Sequence, residues 1–308
     1  MTERAQTTVD GHPMVLTHLQ KPMWPATGWT KGEALHYYAQ VGPALLPHVR
    51  GRAATFVRFP EGVGGPTFYA KHPPAGTPEW VSTVQVPSRE GPTKPYVALD
   101  SMAELMYMAN HYALEIHVPQ WVSPEPDLHD RLVIDLDPGP GRAIGDCAHL
   151  ALLARDLLAA DGLTAWAKTS GSKGLHLYVP LVPSPAADVV AYVKDLAERL
   201  HAAVPDLAIH KMTKSLREGR VFVDWSQNST AKTTAAPYTL RAGPHPTVSA
   251  PVSWAEVEQA ARRRGAKARA AAAAKVLEFT ADDVLTRLAQ DGDLFADLLD
   301  ESAACRLP

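Results

Sequence analysis

Twenty-seven prolines are spread from Pro13 to Pro308, and they constrain the fold more than any other feature. Proline fixes φ and has no N–H to donate, so it is costly inside helices and in central strands. The chain is therefore expected to build short elements joined by many turns, and long helical bundles are excluded. Its 308 residues, 46% hydrophobic and 20% charged, suit a globular protein of one or two closely packed domains. A net charge of −3 gives no global field for nucleic acid, so any such partner must be argued from local clusters. Cys147 and Cys305 stand far apart outside any C-x-x-C setting, which excludes a cysteine zinc site and a disulfide framework and fits a reducing cytoplasm. No apolar run approaches the roughly 20 residues that cross a bilayer, and Met1 to Asp10 lacks a signal-peptide core.

Along the chain, Lys31 to Leu46 carries apolar residues at helical spacing behind Thr30, an N-cap with Glu33 completing a capping box. Ala54 to Phe59 and Thr67 to Lys71 alternate around EGVGGP and predict a hairpin. Pro87 to Pro95 (PSREGPTKP) is rich in turn formers and charge and reads as a protruding loop with Arg89 and Lys94 facing solvent. A helix over Ser101 to Ala113 precedes the strand LEIHVPQW, then VIDLD at Val133 to Asp137, a Pro-Gly turn and a helix from about Asp146 to Ala160. A strand at Leu175 to Pro180, a helix at Ala186 to Ala203 and a strand at Val221 to Trp225 complete a mixed α/β core. Glu256 to Lys275 is an alanine-rich basic helix former, interrupted by Gly265 and read as a solvated face, and an amphipathic helix follows Thr280.

In VIDLD the side chains alternate, so Asp135 and Asp137 share one face of a strand while Ile134 and Leu136 share the other. Two like charges so close are tolerated when a cation neutralises them or one carboxyl protonates. VFVDWS adds Asp224, expected with Phe222 and Ser226 on its own strand face. Three carboxylates on neighbouring strands are hard oxygen donors, suited to Mg²⁺ or Mn²⁺ rather than zinc or copper. The bland alternative for each is an ion pair with arginine or a turn cap. Between them, Thr169 to Leu177 (TSGSKGLHL) has the small residues, glycines and Lys173 of a phosphate cradle, without the Walker A pattern. It is equally an ordinary turn before a strand. Met212 to Arg220, Lys232 and Arg241 surround Asp224 in sequence with cations, each also readable as a solvated surface charge.

These segments together resemble the polymerase domain of bacterial DNA ligase D and its stand-alone primase-polymerase relatives, in the archaeo-eukaryotic primase superfamily. The resemblance spans nearly the whole chain through LTHLQKPMWPATGWTKGE, ALEIHVPQW, LVIDLDPG, TSGSKGLHLYVPL, MTKSLREGRVFVDWSQNS, KTTAAPYTLR and HPTV, in that order. It implies a single α/β (α+β) catalytic domain over 1–308, with a β-rich lobe and 5′-phosphate pocket at about 1–115, a catalytic core at about 116–255 and C-terminal helices at about 256–308. It implies template-directed addition of nucleotides at gaps and broken ends in DNA repair, with a preference for ribonucleotides and for two Mn²⁺ (or Mg²⁺) ions. Asp135, Asp137 and Asp224 match the metal-binding triad. Ser170, Lys173, Gln227 and Arg241 match residues on the incoming nucleotide, and His117 and His176 match histidines of its pocket. Lys21 and Lys31 match the pair on the downstream 5′-phosphate, Tyr69 falls near the aromatic position that stacks on template, and Arg217 lies in the second DNA-contacting loop.

The implied partners are gapped or broken DNA with a 5′-phosphate, NTP or dNTP, and a DNA ligase with other end-joining proteins, in a bacterial cytoplasm at the nucleoid and with no membrane. Three places depart from the family pattern: a basic residue is missing near Val57, His18 stands in place of an asparagine, and Gly243 in place of an arginine. The length and the lack of ligase or nuclease motifs lead to the expectation of a separate polymerase. Two rivals share these features: a primase that starts chains unprimed, and a non-catalytic module that bridges DNA ends. The three carboxylates weigh against the second, because a pure binder gains nothing from a negative pocket near phosphates.

Overall fold

A computed structural model describes residues 4–88, 91–265 and 267–308. Arg89, assigned above to a protruding loop, lies outside them. The chain divides into two compact units, one of Met1–Pro124, Thr233–Val248 and Thr280–Gly292, the other of Glu125–Lys232, Ser249–Phe279 and Asp293–Pro308. The two units interleave in sequence.

In the first unit the helix Lys31–Val49 starts as its capping box dictates. The Thr30 hydroxyl accepts the Glu33 amide at 3.2 Å while the Glu33 carboxylate accepts the Thr30 amide at 2.6 Å. It runs past the predicted end at Leu46 and through Pro43 and Pro47. Each proline deletes a helix hydrogen bond, but Tyr37, Tyr38, Val41, Leu45 and Val49 are buried along its length, and this packing outweighs the local cost. The predicted hairpin is present, with Phe56 opposite Ala70 and Val57 opposite Tyr69. It belongs to a four-stranded antiparallel sheet ordered Thr234–Ala235, Ala113–Val118, Thr55–Arg58, Phe68–Ala70. The preceding helix, Met102–Asn110, is capped by Ser101 and ends three residues short of Ala113, because Tyr112 takes a left-handed φ of 65° and turns the chain into the strand.

The loop expected at Pro87 to Pro95 is instead part of a two-stranded antiparallel ribbon, Thr83–Ser88 with Gly91–Val97, in which Gln85 opposes Pro95 and Val86 opposes Lys94. A two-stranded ribbon leaves one edge of each strand unpaired, so a proline there need not remove a ladder bond. Lys94 is exposed, as expected, but on a strand.

The second unit is built on a six-stranded sheet ordered Ala208–Ile209, Val221–Asp224, Leu128–Pro138, Leu175–Pro185, Trp166–Thr169, Pro251–Val252. Every pair is antiparallel except the first. Both long strands extend well beyond the segments read from sequence. The helices Ile144–Ala160 and Ala186–Ala203 pack on this sheet. Leu132, Ile134 and Leu136 alternate with Val133, Asp135 and Asp137, and the three apolar side chains are completely buried. On the other face Val133 and Tyr178 pack with Phe295 and Leu298, leaving the polar row farther along the same strands. The basic segment forms two helices, Trp254–Ala261 and Lys267–Leu277, broken near Gly265 as expected.

The turn that joins Trp166–Thr169 to Leu175–Pro185 lies directly on the central strand. A Cβ on Gly174 would run into the Leu136 carbonyl oxygen, a backbone atom that cannot move aside. We therefore expect Gly174→Ala to destabilise the fold by about 1–3 kcal/mol in urea unfolding, the range for overpacking a tight contact. An unchanged midpoint would show that the turn does not rest on this strand.

Candidate active site

The sheet of the second unit sets the acids by register. Asp135 is paired with Asp224 on one side and with His176 on the other, and His176 is paired with Lys168. Directly opposed residues share a face, so Asp224, Asp135, His176 and Lys168 form one row across four strands, and Asp137 lies two residues farther on the same face. Asp135 is 7% exposed and Asp224 9%. The His176 Nε2 stands 3.3 Å from the Asp135 carboxylate. Lys168, which sequence reasoning passed over, is fully buried with its ammonium 2.5 Å from the Ser249 hydroxyl.

The chain does not continue as a strand past Asp224, as the Val221 to Trp225 reading assumed. It enters a 3-10 turn, Trp225–Asn228, so Ser226 reaches Asp224 as a capped residue rather than as its neighbour on a strand face. Asp224 accepts the Ser226 amide at 3.0 Å, the Ser226 hydroxyl at 2.6 Å and the Gln227 side-chain amide at 3.0 Å. Gln227, matched to the nucleotide by resemblance, stands beside Asp224 and donates to its carboxylate. Among the described residues no three Asp, Glu, His or Cys side chains stand gathered as a ready metal cluster. The donor set nevertheless has the chemistry for a hard divalent ion, since the register brings three carboxylates to one face and supplies only oxygen donors from them.

Beside Asp137 the Ser170 to Gly174 turn is organised from within. The Ser170 hydroxyl accepts the amides of Ser172 at 3.2 Å and Gly174 at 3.1 Å, and the Ser170 amide donates to the Gly174 carbonyl at 2.9 Å. Ser170 is buried, whereas Ser172 and Lys173 are exposed at the tip. With Gly139, Arg142 and Leu277 they line a cavity of about 590 Å³. Arg217 ends the short helix Lys214–Arg217, its guanidinium 3.5 Å from the centre of the Phe222 ring.

In the first unit two further groups form. On the strand Ala113–Val118, His117 and Glu115 alternate to one face, with His117 Nε2 at 2.9 Å from Glu115. Arg241 Nε lies 3.3 Å from the same carboxylate. Burial acts to raise the Glu115 pKa, but the His117 hydrogen bond, the Arg241 charge and the Ala242 amide outweigh it and hold the group below the ordinary carboxylate range.

Lys21 and Lys31 also come together, both over the ring of Tyr112, at 5.5 Å and 4.5 Å from its centroid. The Lys31 ammonium is buried and donates to the Thr17 carbonyl at 2.7 Å and to Asn110 at 2.8 Å. Lys21 donates to the Pro60 carbonyl at 2.5 Å. His18, at a left-handed φ of 56°, lies 3.2 Å from the Tyr112 hydroxyl. Tyr112 and Asn110 carry no motif of their own and escaped the sequence reading. Tyr69, on the strand Phe68–Ala70, is 72% exposed. Gly243 uses its carbonyl to accept the Trp24 indole at 3.1 Å.

Residues 30–295 match the family described as LigD, primase-polymerase domain. The chain is 46% identical over 294 residues to the multifunctional non-homologous end joining DNA repair protein LigD of Mycobacterium tuberculosis, covering 91% of this chain and 36% of that protein. It is 29% identical to the bifunctional non-homologous end joining protein LigD of Bacillus subtilis, covering 93% of this chain and 44% of the other. The structure superposes on the polymerase domain from Mycobacterium tuberculosis ligase D in complex with DNA with a TM-score of 0.85 and 44% identity, covering 94% of this chain and 98% of that one. An α/β chain with this sheet and these acids is a primase-polymerase domain in architecture. It belongs to the LigD primase-polymerase domain family, and it spans little more than a third of the length of the mycobacterial relatives.

Burial first, and then the charge of Lys21, lower the Lys31 pKa from 10.5 to about 8. Titration followed by NMR at the lysine side chains should find Lys31 changing charge near pH 8, with Lys21→Ala raising that midpoint. A Lys31 titration at or above 10.5 would show that the ammonium is neither buried nor crowded by Lys21.

Proposed function

We propose that this protein is a metal-dependent, template-directed nucleotidyltransferase that fills short gaps and extends broken DNA ends carrying a 5′-phosphate, with a preference for ribonucleotides. The observation that carries the reading is the register that opposes Asp135 to Asp224 and keeps Asp137 on their face, in a chain of the LigD primase-polymerase family. The two mycobacterial and Bacillus relatives are named as end-joining proteins, and the solved relative was captured with DNA. A DNA ligase and other end-joining proteins are the partners this reading entails.

Asp135, Asp137 and Asp224 would hold two Mn²⁺ or Mg²⁺ ions, which when bound neutralise the triphosphate and acidify the primer 3′-hydroxyl. The rest of the work is positioning and charge stabilisation by the chain itself. His176 orients the Asp135 carboxylate, while Ser226 and Gln227 fix that of Asp224. Lys173 and Arg241 bring positive charge to the triphosphate, with His117 and the Ser170 turn completing the nucleotide contacts. The exposed ring of Tyr69 stacks on template, Arg217 contacts DNA, and Lys21 with Lys31 grips the downstream phosphate. Such contacts weaken steeply with salt, since each phosphate neutralised releases counterions.

On DNA with a short gap and a 5′-phosphate, with Mn²⁺ and either ribo- or deoxyribonucleotides, the wild type should extend the primer, and Asp135→Ala with Asp137→Ala should lose at least about a hundredfold in rate. Failure of the wild type to extend any template, with DNA binding intact, would favour an end-bridging module instead.

The 5′-phosphate should strengthen binding below pH 8, where Lys31 is charged, and the advantage should shrink as pH rises through about 8 and Lys31 loses its proton. A 5′-phosphate effect that is the same at pH 7 and pH 9, or that survives replacement of both lysines by alanine, would contradict the assignment of Lys21 and Lys31.

A further inference from the structure

We infer that Glu115 is a positioning residue for nucleotide binding, holding His117 and Arg241 through a single carboxylate. The inference rests on the proposed role of those two residues and names the group that fixes them. Glu115 sits two residues before His117 on the strand Ala113–Val118, so both side chains leave the same face. One carboxylate oxygen faces His117 Nε2 at 2.9 Å and Arg241 Nε at 3.3 Å, and the other accepts the Ala242 amide at 2.9 Å. The carboxylate is thereby tied both to the Arg241 side chain and to the backbone that follows it.

The side chains are only 10%, 13% and 21% exposed for Glu115, His117 and Arg241, so the contacts operate with little solvent screening. Arg241 meets Glu115 as an ion pair, its Nε 3.3 Å from the carboxylate without a hydrogen bond, so charge attraction holds the guanidinium beside Glu115. His117 directs Nε2 at the carboxylate, which fixes the plane of the ring. A lone carboxylate beside a polyphosphate would repel it, but here two basic side chains offset its charge. Removing it would free a flexible arginine and unpin a histidine, and this cost would appear in nucleotide affinity.

The test is steady-state nucleotide incorporation at saturating gapped DNA, with equilibrium binding of a fluorescent NTP measured in parallel. Glu115→Gln, which keeps the size and the Ala242 contact, should raise the nucleotide KM and Kd about tenfold while kcat stays within about threefold. Arg241→Ala should raise KM at least as much, and the double variant should be no more than about threefold worse than Arg241→Ala, because both remove one linkage. Glu115→Asp should fall between wild type and Glu115→Gln. It decides the matter if Glu115→Gln fails to fold, and a wild-type KM for Glu115→Asp would then overturn the inference. A purely structural role would lower the melting temperature and leave KM unmoved. If Arg241→Ala raises KM and Glu115→Gln does not, the inference alone falls. If neither Arg241→Ala nor His117→Ala changes nucleotide KM or Kd, the assignment of those residues falls and the inference with it.

Discussion

The pairing of the strands Leu128–Pro138 and Val221–Asp224, with Asp135 opposite Asp224, is the constraint on which the other features depend. Antiparallel register is all or nothing, because a slip of one residue would move both acids to the opposite face and bring Leu136 and Val223 out of the core. The burial of Ile134, Leu136 and Val223 therefore holds the acids where they are. Opposed carboxylates repel, and the fold meets that cost with hydrogen bonds from Ser226 and Gln227 to Asp224 and with His176 beside Asp135. Those bonds keep the oxygens of Asp224 satisfied and fix the orientation of its carboxylate.

The first unit handles buried charge by the same logic, for a cation at Lys31 and for an anion at Glu115. Lys31 is desolvated and crowded by Lys21, yet its ammonium donates to the Thr17 carbonyl and Asn110 and rests over Tyr112. Glu115 is desolvated and held by His117, Arg241 and a backbone amide. A buried charge costs heavily unless paired or hydrogen-bonded, so neither arrangement persists without its partners. Both groups sit close to the left-handed turn at Tyr112, which ends one helix and opens the strand that carries Glu115 and His117.

Much of this was legible in the sequence where local chemistry and tertiary packing agree. The capping box at Thr30 starts its helix as read, a helix follows Thr280 as expected, the helix Ala186–Ala203 has the bounds expected, and alternation in VIDLD put both acids on one face. The misses share a cause: the deciding contact lay far away in sequence. Pro95 reads as a loop until Gln85 is seen opposite it. Ser226 reads as a strand residue until Asp224 caps a turn. Pro47, just past the expected end at Leu46, looks like a stop until the buried face of that helix is known. Glu115 stood two residues from a flagged histidine, but its link runs to Arg241, far along the chain, a separation that spacing cannot bridge.

The central claim is that Asp135, Asp137 and Asp224 act together as divalent-ion ligands. It is tested most directly by Mn²⁺ binding, followed by electron paramagnetic resonance in the presence of a non-hydrolysable nucleoside triphosphate, for the wild type and for each Asp→Asn variant. The account predicts that the wild type binds Mn²⁺ and that each of the three substitutions weakens binding at least about tenfold. Unaltered Mn²⁺ binding in the three variants would contradict it.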